Sequence, residues 1–265
     1  MSTNLPDLEL RHWACESAKI CPDKFECFYY NSCSEGVGLE HGNTVVMSYI
    51  GKNYYKEDNF KIAIIGIDHG GPDHNSFSER REVIESHYQK NPDGNFNPHY
   101  KGVVKTAAVF LGNKGAFCLG NCVHNCNHDA NPQHECVIDK IAQPNLVKCV
   151  PINAKNRTSV STTTMKKNCV NHLIEELRIL EPKLIIVHGS GSRVYIERGL
   201  SGSGNGLSTI DSDDKDLSEH LYRIEALSAH ILFLPHPAHN WLNRVWGSVV
   251  LKAVDYLKSK QAIPE

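Results

Sequence analysis

Four short apolar runs limit what this chain can fold into more than any other feature. None of them alternates between apolar and polar residues, which is typical of strands buried on both faces of a parallel sheet. Each run is followed by polar residues with glycine or proline among them. The runs lie in the stretches KIAIIGID from Lys61, PNLVKCVPIN from Pro144, KLIIVHG from Lys183 and HILFLPHPAHNW from His230.

Helical patterns separate these runs. The amphipathic stretch TTTMKKNCVNHLIEELRILEP has threonine caps at 162–164 and ends at Pro182. Further helical patterns are SERREVIESHYQK from Ser78 and a C-terminal RVWGSVVLKAVDYLKSK from Arg244. Strands that alternate with helices predict an α/β fold, with three α/β/α layers and a mostly parallel central sheet.

Two polar stretches between the elements predict loops. They are NPDGNFNPHYKG from Asn91 and the glycine-rich GLSGSGNGLSTIDSDDKD from Gly199, for which we expect a mobile loop. The apolar VVKTAAVFLG from Val103 fits either a helix or a strand.

Polar side chains follow the predicted strands and indicate where a ligand binds. In open parallel sheets, ligands bind in the crevice beyond the carboxyl ends of the strands. Glycines at such a strand end let the backbone approach a ligand closely. The alternative, for any one strand, is an ordinary turn with solvated polar residues. The residues at these ends are Asp68, His69, Asn153, His188 and His236.

Composition restricts the classes of protein to which the chain can belong. It has 265 residues, of which 40% are hydrophobic, and a formal net charge of -2. This charge lacks the overall basic excess of many nucleic-acid-binding proteins, so a DNA-binding function must depend on local sites. The chain has no apolar run of membrane-spanning length and no secretion signal at its N-terminus, so we expect a cytoplasmic protein without a membrane partner.

Ten cysteines indicate a metal or iron-sulfur site, because disulfides are rare in a reducing compartment. Four of them, Cys15, Cys21, Cys27 and Cys33, follow one another at six-residue steps. Four more lie in the insert CLGNCVHNCNHDANPQHEC, which also holds three histidines. This insert is a candidate second site for zinc or iron, or a source of ligands for the first site. The alternative is that these cysteines are reduced thiols that bind no metal. The insert residues are Cys118, Cys122, Cys126 and Cys136, with His124, His128 and His134.

Four stretches, in order, resemble motifs of the uracil-DNA glycosylase superfamily, especially its iron-sulfur branch. GIDHGG resembles the first motif, in which a strand leads into a glycine-rich turn that carries an acid. PNLVKCVPINAKNR is similar to the branch's Thr-Asn-x-Val-Lys-Cys-x-Pro-Pro-x-Asn-Arg. NCVNHLIEELRILEPKLIIVHG resembles its cysteine-bearing helix followed by Pro-x-x-Ile-x-x-Leu-Gly, and LFLPHPAHNW resembles the His-Pro-Ser or His-Pro-Ala motif. The resemblance covers roughly residues 60 to 257.

The resemblance implies roles for residues of one pocket. Asp68 and His236 match catalytic positions, and Asn145 matches the asparagine that reads the base. HYKG resembles the family's Pro-Phe-x-Gly, so Tyr100 is the predicted base-stacking aromatic, with Phe77 the alternative. His69, directly after Asp68, and Gly66, two residues before it, are further predicted base-binding residues.

The resemblance also implies a four-iron, four-sulfur (4Fe-4S) cluster. Cys149 and Cys169 match two of its ligands. The family's other two ligands lie near the N-terminus, where Cys15 and Cys21 are our assignment and Cys27 and Cys33 remain alternatives. Because the implied reaction is a hydrolysis, we expect the cluster to brace loops and not to carry electrons.

The resulting prediction is a DNA glycosylase of base excision repair, which hydrolyses the N-glycosidic bond of uracil or another deaminated base in DNA. Two alternatives are a non-catalytic or differently specific nucleic-acid- or nucleotide-binding member of the same fold, and a metal-dependent hydrolase that uses Asp68, His69 and His236 as ligands. We expect a monomer. Residues 1–59 are predicted to form a cysteine-rich extension packed on a core domain at 60–260, which carries the insert at about 113–140.

Overall fold

The computed structural model of the protein describes residues 5–21, 24–34, 44–45, 48–67, 82, 84, 97–112, 136–150, 161–204, 206–237 and 246–263. Most of the predicted helix from Ser78 and most of the cysteine- and histidine-rich insert lie outside these ranges. Among the described helices, none combines the length and the apolar character needed to cross a membrane.

Seven strands form one mixed sheet in the order β4-β6-β5-β8-β11-β10-β9. The central strands β6, β5, β8 and β11 are parallel, and β4, β10 and β9 join them antiparallel. Two small antiparallel pairs, β1 with β2 and β3 with β7, lie outside this sheet. The strands are β1 (Ile20–Cys21), β2 (Lys24–Phe25), β3 (Thr44–Val45), β4 (Tyr49–Ile50), β5 (Ile62–Ile65), β6 (Ile141–Gln143), β7 (Cys149–Val150), β8 (Leu184–His188), β9 (Leu207–Thr209), β10 (Leu221–Ile224) and β11 (Ala229–Leu234).

Helices cover both faces of the sheet. They are α1 (Leu5–His12), α2 (Tyr30–Ser34), α3 (Pro98–Phe110), α4 (Thr163–Leu180), α5 (Ser190–Gly202), α6 (Lys215–Ser218) and α7 (Leu251–Ser259). π-helical turns at Trp13–Ser17 and Trp246–Val250 adjoin α1 and α7, and short 3-10 turns lie at Val137–Lys140 and Glu225–Leu227.

The side chains of β5 show how the layers form. Ile62 and Ile64 point into a core with α3 and α7, whereas Ala63 and Ile65 point into a second core with α4 and α5. All four are buried, and burying an isoleucine side chain stabilises a fold by about 1.5–3 kcal/mol. The absence of alternation in the sequence follows from this two-sided burial. The predicted α/β/α architecture with a mostly parallel sheet is confirmed.

Three local expectations need revision. The strand expected from Pro144 does not form as one run. The central-sheet strand β6 ends before Pro144, which has no N–H to donate to a ladder, and the described part of the expected stretch contains the two-residue β7. The loop expected through Gly102 ends at Asn97, which caps α3, with Pro98 in its first turn. In the glycine-rich stretch, α5 extends to Gly202 and β9 pairs with β10 as an edge strand.

A buried ion pair joins the segment before β7 to α4. Lys148 and Glu176 are 1% and 2% exposed, and the Lys148 ammonium donates to one Glu176 carboxylate oxygen. Ser48 donates its hydroxyl to the other oxygen. Since each buried charge has a partner, the pair fixes the position of β7 on α4 without an uncompensated charge.

We expect Glu176→Leu to lower the free energy of unfolding by about 3–5 kcal/mol, because it leaves the Lys148 ammonium buried without its partner. Urea unfolding measures this loss. The double variant Lys148→Met/Glu176→Leu should recover most of it, since both charges are then absent. Glu175→Leu, at the half-exposed neighbour that pairs with Arg178, is the control and should cost less than about 1 kcal/mol. Equal losses for Glu176→Leu and Glu175→Leu would contradict the prediction.

Candidate active site and thiol group

Two of the sequence motifs meet at the carboxyl edge of the sheet. Gly66, directly after β5, forms a parallel bridge with Asn145, which follows β6. The Gly66 N–H donates to the Pro144 carbonyl (3.2 Å), and the Leu146 N–H donates to the Gly66 carbonyl (2.9 Å). One residue further, the Val147 N–H donates to the Ile67 carbonyl (2.9 Å). The first and second motifs therefore start from one backbone ladder.

Asp68 and His69 follow this ladder in sequence but lie outside the described residues, as does Phe77. The structure fixes the backbone up to Ile67, so the chain leaves β5 beside Asn145. The assigned roles of Asp68 and His69 stay predictions.

Asn145 is buried with an unused hydrogen-bond donor. The residue is 5% exposed, and its side-chain Nδ2 has no hydrogen-bond partner within the part of the chain that the structure describes. A buried polar group without a partner costs about 1–3 kcal/mol, so such groups call for an explanation. A ligand carbonyl that accepts from this amide provides one.

Three imidazoles come together at the neighbouring strand ends. His188 ends β8, and its register partner on β11 is Leu234, two residues before His236. The ring of His236 lies 5.1 Å from that of His99 in the first turn of α3, centroid to centroid, and the rings are tilted by 39°. Sequence reasoning noted His188 at a strand end and missed His99, because no pattern indicates that the first turn of α3 faces this edge.

Burial and neighbouring charge keep His188 neutral. It is 2% exposed. Burial lowers the pKa of His188 to about 3, and the nearby His99 and His236 add to this effect. A protonated imidazole loses its hydration in such a place, so the uncharged ring is the form present at neutral pH.

The first turn of α3 packs closely on the turn that carries His236. A Cβ added at Gly102 would lie 2.5 Å from the Pro237 Cβ, so only glycine allows this approach. Tyr100, in the same turn, is half-buried against the core, and its ring meets that of His99 edge-on at 5.1 Å. The structure thus brings Tyr100, His99 and His236 together.

Four buried thiols form a second group on the other face of the sheet. Their residues are 2–7% exposed, and they come from the N-terminal segment, β7 and α4. The Cys149 thiol donates to the Cys169 sulfur, which lowers the pKa of Cys169 to about 7 and raises the pKa of Cys149. Burial raises the pKa of Cys27 and Cys33, and the nearby Cys169 raises both further. We call Cys27, Cys33, Cys149 and Cys169 the thiol group.

The thiol group includes the two N-terminal cysteines that the sequence left as alternatives. Cys15 is disulfide-bonded, and the side chain of Cys21 is outside the described residues. Of the insert cysteines, Cys136 lies within the described residues and packs against the core of α3 and α7. Cys118, Cys122 and Cys126 lie outside the described ranges, so the second metal site stays untested.

Nitrogen atoms surround the thiol group. The ring Nε2 of His172 lies 3.7 Å from the Cys27 sulfur, and the Asn168 Nδ2 lies 3.4 Å from the Cys33 sulfur. Burial lowers the pKa of His172 to about 4, and the Lys148 charge contributes. Within the described part of the chain, no three His, Cys, Asp or Glu side chains are arranged to hold a single metal ion. The four members of the thiol group instead match in number the cysteine ligands of an iron-sulfur cluster, which is larger than one ion.

We expect the free energy of unfolding to decrease as the pH falls from about 6.5 towards 3, in part through His188. The unfolded chain binds a proton on this residue near its ordinary pKa of about 6.5, whereas the folded protein does so near 3. The stability that the neutral His188 ring contributes is complete above the pKa of the unfolded chain. It is lost as the pH falls from there towards the pKa of the folded protein. Denaturant unfolding at several pH values should give a shallower slope for His188→Leu than for the parent. His220→Leu, at a partly exposed histidine, is the control. An equal dependence on pH in His188→Leu and in the parent would contradict the role given to His188.

Comparison with known proteins supplies the family. The family model of the uracil DNA glycosylase superfamily matches residues 53–258. No curated protein matches the chain significantly. The match spans β5, β6, β8 and β11, whose carboxyl ends carry Gly66, Asn145, His188 and His236. The chain therefore belongs to the uracil-DNA glycosylase superfamily, whose domain indicates a DNA glycosylase-type function.

Proposed function

We propose that the protein is a DNA glycosylase that hydrolyses the N-glycosidic bond of uracil or another deaminated base. The observation that carries this proposal is the buried amide of Asn145. Its Nδ2 has no partner among the described residues, and its backbone pairs with Gly66, two residues before Asp68. The superfamily match supports the reaction class.

Asn145 suits the edge of a pyrimidine that has left the base stack. Its amide offers a donor and an acceptor on one short arm, which complements the carbonyl and N–H of uracil. A base with a different edge leaves the buried amide unpaired, and this loss is the source of selectivity. Tyr100 is the proposed stacking partner, and such a contact contributes about 1–3 kcal/mol per base.

Asp68 and His236 act at opposite ends of the breaking bond. Positive charge develops on the sugar and negative charge on the departing base, so groups of opposite sign placed beforehand lower the barrier. Asp68 stabilises the sugar cation and positions or activates water. His236 donates a hydrogen bond to the base carbonyl, for which a neutral imidazole suffices.

The neighbouring imidazoles favour this neutral form. His99 and His188 lie beside His236, and several positive charges in one partly buried place repel one another. The close packing of Gly102 on Pro237 holds the turn of His236 in position. Such fixed geometry contributes to catalysis because a small displacement of a reacting group slows the reaction.

We further propose that the thiol group holds the 4Fe-4S cluster implied by the resemblance. The four sulfurs supply the ligand number that such a cluster requires. When bound, the cluster braces the N-terminal segment on the core. Cys149 comes four residues after Asn145, and the N–H of Lys148 lies 3.5 Å from the Cys169 sulfur. The thiol group therefore holds the far end of the segment that carries Asn145.

The activity is tested with uracil-containing single- and double-stranded oligonucleotides, followed by alkaline cleavage at abasic sites. We expect abasic product from the parent protein. Asn145→Asp should lose about 100-fold or more in kcat/KM, because it replaces the amide donor by an acceptor. Asp68→Asn should lose activity, because it removes the negative charge that stabilises the sugar cation.

The matched control is Asn171→Asp, at an exposed asparagine of α4 that should leave the rate unchanged. Full activity in Asn145→Asp would refute the role of Asn145. No product from any uracil-containing or otherwise deaminated substrate, with salt-dependent DNA binding retained, would instead identify a non-catalytic member of the family.

The cluster is tested by iron and sulfide analysis of anaerobically purified protein. Cys27→Ser and Cys33→Ser should each lose iron and the visible charge-transfer absorption, because each removes a ligand. Cys15→Ser should retain both. Loss of iron from Cys15→Ser, with retention in Cys27→Ser, would restore the assignment made from sequence alone and contradict the one made from geometry.

A further inference from the structure

Three sulfurs of the thiol group each lie close to a nitrogen atom of a residue other than cysteine. The His172 ring Nε2 lies 3.7 Å from Cys27, the Asn168 Nδ2 lies 3.4 Å from Cys33, and the Lys148 backbone nitrogen lies 3.5 Å from Cys169. Sulfur accepts hydrogen bonds at longer distances than oxygen, so these separations are compatible with N–H···S contacts.

Two of these nitrogens come from one face of α4. Asn168 and His172 are four residues apart, which places them one above the other on a helix. Cys169 lies between them in sequence. The side of α4 that faces the N-terminal segment therefore offers one ligand and two polar side chains to the same group of sulfurs.

The surroundings fix both side chains. The His172 ring meets Trp13 edge-on at 6.3 Å and Tyr29 at 5.9 Å, centroid to centroid. The Asn168 amide nitrogen also contacts the Ser32 hydroxyl oxygen at 3.2 Å, so one nitrogen serves Ser32 and Cys33. Side chains held in this manner keep their N–H groups directed at the sulfurs.

We propose that Asn168 and His172 are positioning residues that donate N–H···S hydrogen bonds to the cluster-bound thiolates of Cys33 and Cys27. The inference rests on the cluster proposed above for the thiol group. A thiolate bound to iron has no proton, so the hydrogen of the contact must come from nitrogen. His172 therefore carries its proton on Nε2.

The chemistry of this arrangement has two consequences. Hydrogen bonds to ligand sulfurs stabilise the more negative, reduced cluster and so raise its reduction potential. They also hold the ligands in the geometry that binds iron, and loss of such outer contacts typically costs about 10–100-fold in metal affinity. Both effects act on the cluster and need no change at the base-binding pocket.

The competing explanation is packing alone, in which His172 only fills the space between Trp13 and Tyr29. His172→Phe distinguishes the packing explanation from the hydrogen-bond explanation, because phenylalanine keeps an aromatic ring there and has no side-chain N–H. Asn168→Leu does the same at the second site, since it keeps the size of the side chain. His172→Gln keeps a side-chain N–H and serves as the conservative variant.

The experiment uses the full-length protein, purified anaerobically and reconstituted with iron and sulfide. A potentiometric titration followed by electron paramagnetic resonance gives the reduction potential. Release of iron to a chelator gives the stability of the cluster. We expect a lower potential and iron release about tenfold faster or more in His172→Phe and Asn168→Leu, with partial recovery in His172→Gln.

Asn171→Leu, the same change at an exposed position of α4, is the control and should match the parent. Parent-like potential and iron release in both His172→Phe and Asn168→Leu would overturn the inference while leaving the cluster in place. Absence of iron from the parent would overturn the cluster and this inference together. Neither result bears on glycosylase activity, which the oligonucleotide assay measures separately.

Discussion

The short backbone ladder between Gly66–Ile67 and Pro144–Val147 is the interaction on which the candidate site depends. It joins the ends of two parallel strands that are far apart in sequence. The bonds are made by the backbone, so they fix the starting point of each motif whatever the side chains are. A pocket built on these strand ends is positioned before a ligand arrives, and binding then needs little further ordering.

The segment from Asn145 to Cys149 links the two functional regions. At one end it pairs with Gly66, and at the other its cysteine contacts Cys169 on α4. Between them, the ammonium of Lys148 is buried against Glu176. Five residues are thus held by a backbone ladder, an ion pair and a thiol contact. A cluster bound at the thiol group, as proposed above, would act on the position of Asn145 mechanically, which is compatible with a hydrolytic reaction that needs no electron transfer.

The sequence predicted those parts of the fold that local chemistry determines. The apolar runs from Lys61, Lys183 and His230 contain β5, β8 and β11, and Thr162 caps α4 by accepting from the Met165 N–H at 3.2 Å. The N-terminal members of the thiol group could not be chosen this way. Six-residue steps between cysteines do not reveal which side of the segment faces α4, and the geometry brings Cys27 and Cys33 to Cys169. The grouping of His99 with His236 likewise depends on how α3 packs, which is a tertiary contact with no local pattern.

Buried polar groups in the two regions cost stability, and the fold accommodates each of them differently. The unused donor of Asn145 costs free energy that the apolar cores on both faces of the sheet must offset. His188 is accommodated by remaining neutral, whereas Lys148 is accommodated by pairing with a carboxylate. The Asn145 amide differs from both in that its backbone also forms the ladder with Gly66, where the first two motifs meet. A buried donor that has no partner among the described residues, at the point where the first two motifs meet, is the observation that supports the proposed base recognition at Asn145.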